Sequence, residues 1–388
     1  MNLYYISDRI YPSGNAGGIR IDYITRMFSF LYDVSVIAFN NKSKTNYINK
    51  INSKIKVYIL SLESGRLIRK FLDRYIFSGI QASKIINSIL VRNSTVVIYS
   101  TNIIFVLFVL CALRRKSNVK IIFDVVENFG PNNFKFGVLN PKYFLFRILY
   151  NFIYCRGDGV YAISKSIRTD FVKKGVPSFI LPPLFSSTEF NNQKDYSLEI
   201  KNFIYSGNPF GKENLELMFA VLTILLERGN TLCLHLAGIS IMDLNKYINF
   251  EKKYPLLRKN TIIYGWLPLS DLYKIYEKMH FTFFLRDNIQ SNVCNFPMKL
   301  VEMMNYGIIP VISNVGDYAE ALDDNLNAFL IDKNCESICF EKFIQILNKS
   351  TSELFNISKN ARSSSKNYDY LVFYEKYKSE LISFTDIK

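Results

Sequence analysis

FTFFLRDNIQSNVCNFPMKLVEMMNYGIIPVIS, residues 281–313, is the stretch on which the fold turns. Its opening β-formers deliver Arg286 into a loop. A helix is expected to begin around Pro297 and to end at Gly307, with a second strand over 308–313. Free N–H groups at such a helix start face an anion. Glu302 lies just over one turn inside, between Val301 and Met303-Met304 in an otherwise apolar helix. A buried carboxylate without a partner is costly, so Glu302 is read as a ligand-binding group rather than as a surface helix residue. An anion-binding helix start with an inward carboxylate is what a nucleotide-sugar requires. Amides and basic groups hold its diphosphate, and the carboxylate accepts its ribose hydroxyls.

The same strand–loop–helix alternation extends in both directions. Strands are expected at 2–7, 34–39, 56–60, 96–100, 121–125, 160–164 and 179–183, with Asp8 and Arg9 breaking the first. Helices are expected near 66–90, 102–115 and 141–155, with Ser164 capping another. Residues 186–200 are polar and unpatterned. Beyond them come strands at 203–205, 231–237, 261–264, 281–285, 308–313 and 328–331, a helical N-cap at Ser270 and a final helix over 368–384. Each half opens with a strand, a glycine loop and a helix: Gly14, Gly17 and Gly18 in the first, Gly207 to Gly211 and Lys212 in the second. This predicts an α/β chain of two Rossmann-like, doubly wound parallel-sheet domains. The boundaries are 1–188, a linker at 189–200, 201–365, and a C-terminal helix at 366–388 packing back toward the first domain. Two facing domains would put the ligand site in the cleft between them.

Composition narrows the partners. The 388 residues are 49% hydrophobic and 21% charged, a globular balance. Six cysteines without a CxxC pair and two histidines, His235 and His280, argue against a zinc site; the thiols are expected to be reduced and both histidines structural. The longest apolar run, 103–113, is too short to span a bilayer, which takes about 20 residues. The chain carries +15, and residues 1–190 alone, with 26 basic and 10 acidic side chains, carry +16. An anionic partner is therefore expected for the first half. Residues 66–76 and 142–156 combine apolar stripes with basic residues and suit an anionic membrane surface. No nucleic-acid recognition motif accompanies the charge.

Several segments, in order, resemble glycosyltransferase family 4, of GT-B fold. Pro297-Met298-Lys299-Leu300-Val301-Glu302 followed by Pro310-Val311-Ile312-Ser313 resembles its donor signature. Gly17-Gly18-Ile19-Arg20 resembles its first loop, and Asp158 to Ser164 with Leu181-Pro182-Pro183 the end of its first domain. Ile204-Tyr205-Ser206-Gly207 with Lys212 resembles the opening of its donor domain. Gly265-Trp266-Leu267-Pro268 resembles the segment whose backbone meets the nucleobase. The resemblance implies a retaining, metal-independent glycosyltransferase without cofactor. Glu302 would bind the ribose. Lys212, Arg286 and Lys299, with amides near Pro297 and Met298, would neutralise the diphosphate, and Gly17 and Gly18 would lie beside it. Cys294 stands where the family has a first glutamate, Asn208 where it often has an arginine, and Val126 where it has a histidine. Asp287, Asn292 or Asn295 is the expected substitute for that glutamate, and Glu127 the acceptor-side residue, against a helix-capping role. The +16 of the first half, rather than the resemblance, points to the acceptor: a glycan or lipid-diphosphate-linked glycan, in surface-polysaccharide assembly (O-antigen or capsule) at the inner face of the cell membrane, with the enzyme cytoplasmic or peripheral. The alternatives are a catalytically impaired nucleotide-sugar-binding protein on the same fold and a sugar-nucleotide epimerase.

Overall fold

A computed structural model describes residues 1–12, 15–40, 48–61, 76–114, 116, 118–187, 194–207 and 212–387. The basic stretch 66–75, Gly14, Asn208 and Gly211 lie outside them. The chain divides into two compact units. Unit 1 holds Met1–Ser186, Cys294–Phe296 and Tyr368–Lys388; unit 2 holds Ser187–Val293 and Pro297–Asn367.

The sheet of unit 1 has eight strands: β1 (Asn2–Ile10), β2 (Asp33–Asn40), β3 (Ile48–Asn52), β4 (Ile55–Ser61), β5 (Ser94–Tyr99), β6 (Val119–Val125), β7 (Gly159–Ala162) and β8 (Ser178–Ile180). Their order is β3-β4-β2-β1-β5-β6-β7-β8, parallel except for β3, which pairs antiparallel with β4. Central strands read as continuous apolar runs because helices cover both faces; in STVVIY of β5 every residue is buried. Two expectations need correction here. Asp8 and Arg9 do not end β1, which continues to Ile10 through a register shift after Ile6. The antiparallel hairpin β3–β4 was not anticipated.

A buried ion pair ties this unit together. Arg20, on the helix Ala16–Phe28, reaches both carboxylate oxygens of Asp124 at 2.6 and 2.9 Å and also donates to the carbonyls of Leu181 and Pro182. The Tyr5 hydroxyl bonds the same carboxylate. The chain's last helix, Tyr370–Thr385, belongs to this unit too. Thr95 donates to the carbonyl of Thr385 at 2.7 Å, Tyr161 pairs with the Thr385 hydroxyl at 2.6 Å, and Lys120 donates to the carbonyls of Phe384 and Asp386. Phe384 packs on Tyr161 and closes over Gly159, where a Cβ would fall 2.7 Å from its ring.

Unit 2 contains β9 (Lys201–Ser206), β10 (Leu232–Ala237), β11 (Thr261–Gly265), β12 (Phe281–Phe284), β13 (Ile309–Ser313) and β14 (Phe329–Ile331). They form a six-stranded parallel sheet ordered β11-β10-β9-β12-β13-β14. The chain therefore winds outward from β9 to β11, then crosses to β12 and winds the other way. Between β9 and β12 the direction reverses, and ligands bind beyond the carboxyl ends of strands at such a point. In unit 1 the same reversal falls between β1 and β5. The helix expected at Ser270 begins at Leu269, with Pro268 as its N-cap. Among the described residues no helix is long and apolar enough to cross a membrane.

Candidate active site

Three glycines clear the carboxyl ends of adjacent strands in unit 2. Gly207 follows β9, Gly238 follows β10, and Gly265 ends β11; all three have positive φ, at 112°, 81° and 65°. They are stitched edge to edge, Gly207 N–H to the Ala237 carbonyl at 2.9 Å and Gly238 N–H to the Gly265 carbonyl at 2.6 Å. A Cβ on Gly238 would fall 3.0 Å from the backbone of Gly207, and one on Gly207 would fall 3.2 Å from Lys299 Nζ. At Gly207 and Gly238 glycine answers both the dihedral and the close approach, while at Gly265 the dihedral alone asks for it.

Beneath Gly207 sits a charge cluster at the switch point. Glu213 Oε1 accepts from Arg286 Nη2 at 2.6 Å and lies 3.5 Å from Lys299 Nζ. Lys299 also donates to the Tyr205 hydroxyl at 2.8 Å and lies over the rings of Tyr205 and Phe284. Burial pushes the Glu213 carboxyl upward, but Lys299 and Arg286 outweigh it and hold it at about 2. Burial lowers Lys299 to about 8, against the pull of Glu213. Arg286 is held from above as well: its N–H donates to Ser313 Oγ, and its carbonyl accepts from Asn334. Its guanidinium is almost wholly buried against Glu213 and near the Tyr318 ring, so it is not an open cation. Lys299 is the more accessible of the pair, its side chain one-fifth exposed. Lys212 is close enough to weaken Lys299's hold on its proton. Its carbonyl accepts from Asn292, which also donates to the carbonyl of Asp287.

The helix Met298–Asn305 begins at Pro297 with no side chain capping it, leaving its first amides to other partners. Glu302 is buried among its Met and Leu neighbours, Tyr273 hydrogen-bonds its carboxyl, and Oε1 is buried with no partner. Desolvation pushes this carboxyl up to about 7. A partnerless buried carboxylate oxygen is unstable by itself and suits an incoming hydroxyl. Leu267 lies half-buried just after Gly265, beside the exposed Trp266.

The other sequence-predicted residues fall in unit 1. Asn295 is buried within Cys294–Phe296. Gly17 and Gly18 open the helix Ala16–Phe28, whose cap Asn15 accepts from Gly18 N–H at 2.9 Å. Gly17 packs against Arg9, at the end of β1. Arg9 donates to Thr101 Oγ1 at 3.1 Å and lies over Tyr99, the last residue of β5. Glu127 follows β6 and adds to the negative field that steadies the Arg9 charge. The N-caps of the next three helical segments are Gly130, Phe136 and Asn140, so Glu127 is the N-cap of none of them. Both histidines are structural: His235 contacts Tyr264 and Asn202, and His280 bridges the Asn202 amide and the Asp195 carbonyl. All six cysteines are free. Among the described residues no His, Cys, Asp and Glu group has the makings of a metal site.

Glu213, central to the cluster, escaped the sequence reading. It precedes a helix in GKENLE and reads as an ordinary first-turn acid; its partners lie 73 and 86 residues away. A signal was present in the need of a buried Arg286 for a counter-charge.

Comparison with known proteins follows the same lines. The profile of the family Glycosyl transferases group 1 matches residues 187–364, nearly the whole of unit 2. Among curated proteins, none matches the sequence. The fold is similar to sucrose-phosphate synthase from Thermosynechococcus elongatus, with a TM-score of 0.71 at 12% identity over 99% of this chain and 100% of that one. HepE from Anabaena, solved with UDP and glucose, gives 0.68 at 14% identity over 99% and 100%. The lipopolysaccharide outer core galactosyltransferase WaaB gives 0.63 at 14% identity over 99% of each chain. The match marks residues 187–364 as a group 1 glycosyl transferase domain, and the shared architecture gives the chain two Rossmann-like domains of the GT-B fold, that of a glycosyltransferase.

Proposed function

We propose that unit 2 binds a nucleoside-diphosphate sugar, and that the chain transfers its glycosyl group with retention and without a metal ion. The acceptor is a glycan or a lipid-diphosphate-linked glycan held by unit 1, and the setting is surface-polysaccharide assembly at the inner face of the membrane. The observation that carries the donor reading is the buried, partnerless Oε1 of Glu302 in the helix whose uncapped start lies beside Lys299. The ribose hydroxyls donate to Glu302. The diphosphate takes the amides of Met298 and Lys299 and the charges of Lys299 and Lys212, opposite the bare backbone at Gly207. Arg286 acts through Glu213, holding the carboxylate that positions Lys299. Leu267 and the backbone around Gly265 meet the nucleobase. When the glycosyl bond breaks, negative charge grows on the departing diphosphate, and fixed cations there lower the barrier. Glu127 serves the acceptor side. HepE, solved with UDP and glucose, and WaaB, a lipopolysaccharide galactosyltransferase, share the fold and support a sugar nucleotide and a glycan.

A thermal-shift panel of nucleoside diphosphates and nucleotide-sugars tests the donor site. A ligand at 100 times its Kd adds about 2.7 kcal/mol. No shift with any of them overturns the donor assignment. Binding without sugar release instead favours the catalytically impaired alternative. NMR of the product checks stereochemistry, and an inverted anomer refutes retention.

A further inference from the structure

We propose that residues 134–152 of unit 1 form a membrane-inserting wedge whose occupant is an anionic lipid bilayer. The inference deepens the membrane-facing acceptor reading above and rests on it. Phe136, Val138, Leu139, Phe144 and Phe152 are each more than three-fifths exposed, and Leu145 is also exposed. Large apolar side chains gathered this way mark an interaction surface.

The segment is built to present them. Two short 3-10 turns, Pro131–Asn133 and Gly137–Leu139, lead into the helix Pro141–Ile148, capped by Asn140. Local bonds satisfy the tip: Gly137 N–H to the Phe134 carbonyl, Leu139 N–H to that of Phe136, and Asn140 Nδ2 to that of Lys135 at 2.7 Å. On the inner side Phe129, Phe134, Tyr143 and Phe146 interlock ring against ring. Phe136 is held at φ 70°, a left-handed conformation that few non-glycine residues adopt. A strained backbone that throws a phenylalanine into solvent points to function. Phe144 and Phe152, two i+4 steps apart, continue the apolar stripe along the helix and the turn beyond it.

Charge selects the occupant. Residues 128–157 contain no Asp or Glu, exposed Lys135 and Lys142 flank the apolar tip in sequence, and exposed Arg156 follows the helical turns beyond it. Lys135 Nζ lies 5.3 Å from the Phe136 ring, its stem along the wedge and its charge at the rim. Projecting Phe and Leu side chains with basic neighbours match acyl chains below anionic headgroups; the acid that lies against the segment, Asp170 beside Tyr150, is paired with Lys174.

Flotation of the full chain with vesicles of phosphatidylglycerol and phosphatidylcholine tests this. The protein is expected to float at low salt and to bind pure phosphatidylcholine far less. Phe136→Ser, Leu139→Ser and Phe144→Ser together should lower partitioning on the order of tenfold or more. Lys135→Gln with Lys142→Gln should lower it further and reduce its salt dependence. An unchanged melting temperature, and an unchanged shift with nucleoside diphosphate, show that each variant is folded. Equal flotation of the serine variant overturns the wedge, and equal binding to neutral vesicles overturns the anionic occupant. If the wild type is a dimer that does not float and the serine variant is a monomer, a second copy of the chain is the occupant. Turnover of a water-soluble acceptor reads the transferase function separately, so a protein that transfers sugar but does not float loses only the membrane proposal.

Discussion

Replacing Glu302 with glutamine should make the protein more stable and a worse donor binder at once. The native carboxyl titrates near 7 because burial disfavours its charge, against an ordinary value of 4.5. A carboxyl with a raised native pKa binds its proton more tightly folded than unfolded, so stability falls as pH rises from about 4.5 through about 7. Above that window the full penalty stands. At 1.36 kcal/mol per unit it is about 3 kcal/mol. Glutamine keeps the shape and cannot ionise, so at pH 8 the variant should melt higher, by on the order of 5–10 °C for a unit of this size. The loss appears on ligand addition. A carboxylate accepting ribose hydroxyls contributes about 1.5–3 kcal/mol as a charged hydrogen-bond acceptor, or about 10–150-fold in nucleoside-diphosphate affinity. Calorimetry at pH 5 and pH 8, with and without ligand, measures both effects. A glutamine variant with wild-type stability at pH 8 refutes the buried-charge argument, and wild-type ligand affinity refutes the ribose role.

Glu213→Gln leaves Arg286 and Lys299 without their counter-charge and should cost about 3–5 kcal/mol in urea unfolding. With its carboxyl held near 2, the pair's contribution in the wild type is complete above about 4.5 and fades only as pH falls through about 2. Gly238→Ala pushes a methyl into the backbone of Gly207 at φ 81° and should lose more than about 1 kcal/mol with weakened donor binding; equal affinity would contradict the close-packed glycine row. Arg20→Met strands Asp124 in the core of unit 1 and should destabilise by about 3–5 kcal/mol; a small loss in chemical denaturation would show the pair to be dispensable. Transfer activity is expected to persist in excess EDTA; activity abolished by EDTA and restored by magnesium or manganese would end the metal-independent reading.

The sequence made the elements with a strong local period legible. The apolar strands β5, β9 and β13 and the helix around Glu302 stand out because burial on both faces, or an interrupted apolar stripe, leaves a mark on neighbouring residues. Ser164 caps its helix as its residue type suggests, accepting from Ile167 N–H. What escaped was set by distant partners. The acid at 213 gains its meaning from Arg286 and Lys299 across the sheet, and the cation at 286 is already spoken for by that acid. The hairpin β3–β4 is an edge feature whose short, polar first strand carries no alternation. Ser270 has a capping side chain, but Pro268 fixes φ two residues earlier and starts the helix there.

The last helix of the chain has a consequence for how the protein is made. Its residues Phe384 and Thr385 pack against β5, β6 and β7, strands encoded in the first half. During synthesis, unit 2 has its entire sequence outside the ribosome before unit 1 receives its final core segment. The domain begun first is thus the domain finished last, and until then the slot above Gly159 stays open with apolar walls toward water. A stalled or shortened translation product would carry a complete unit 2 and an unfinished unit 1, and that unfinished half is the one for chaperones to cover.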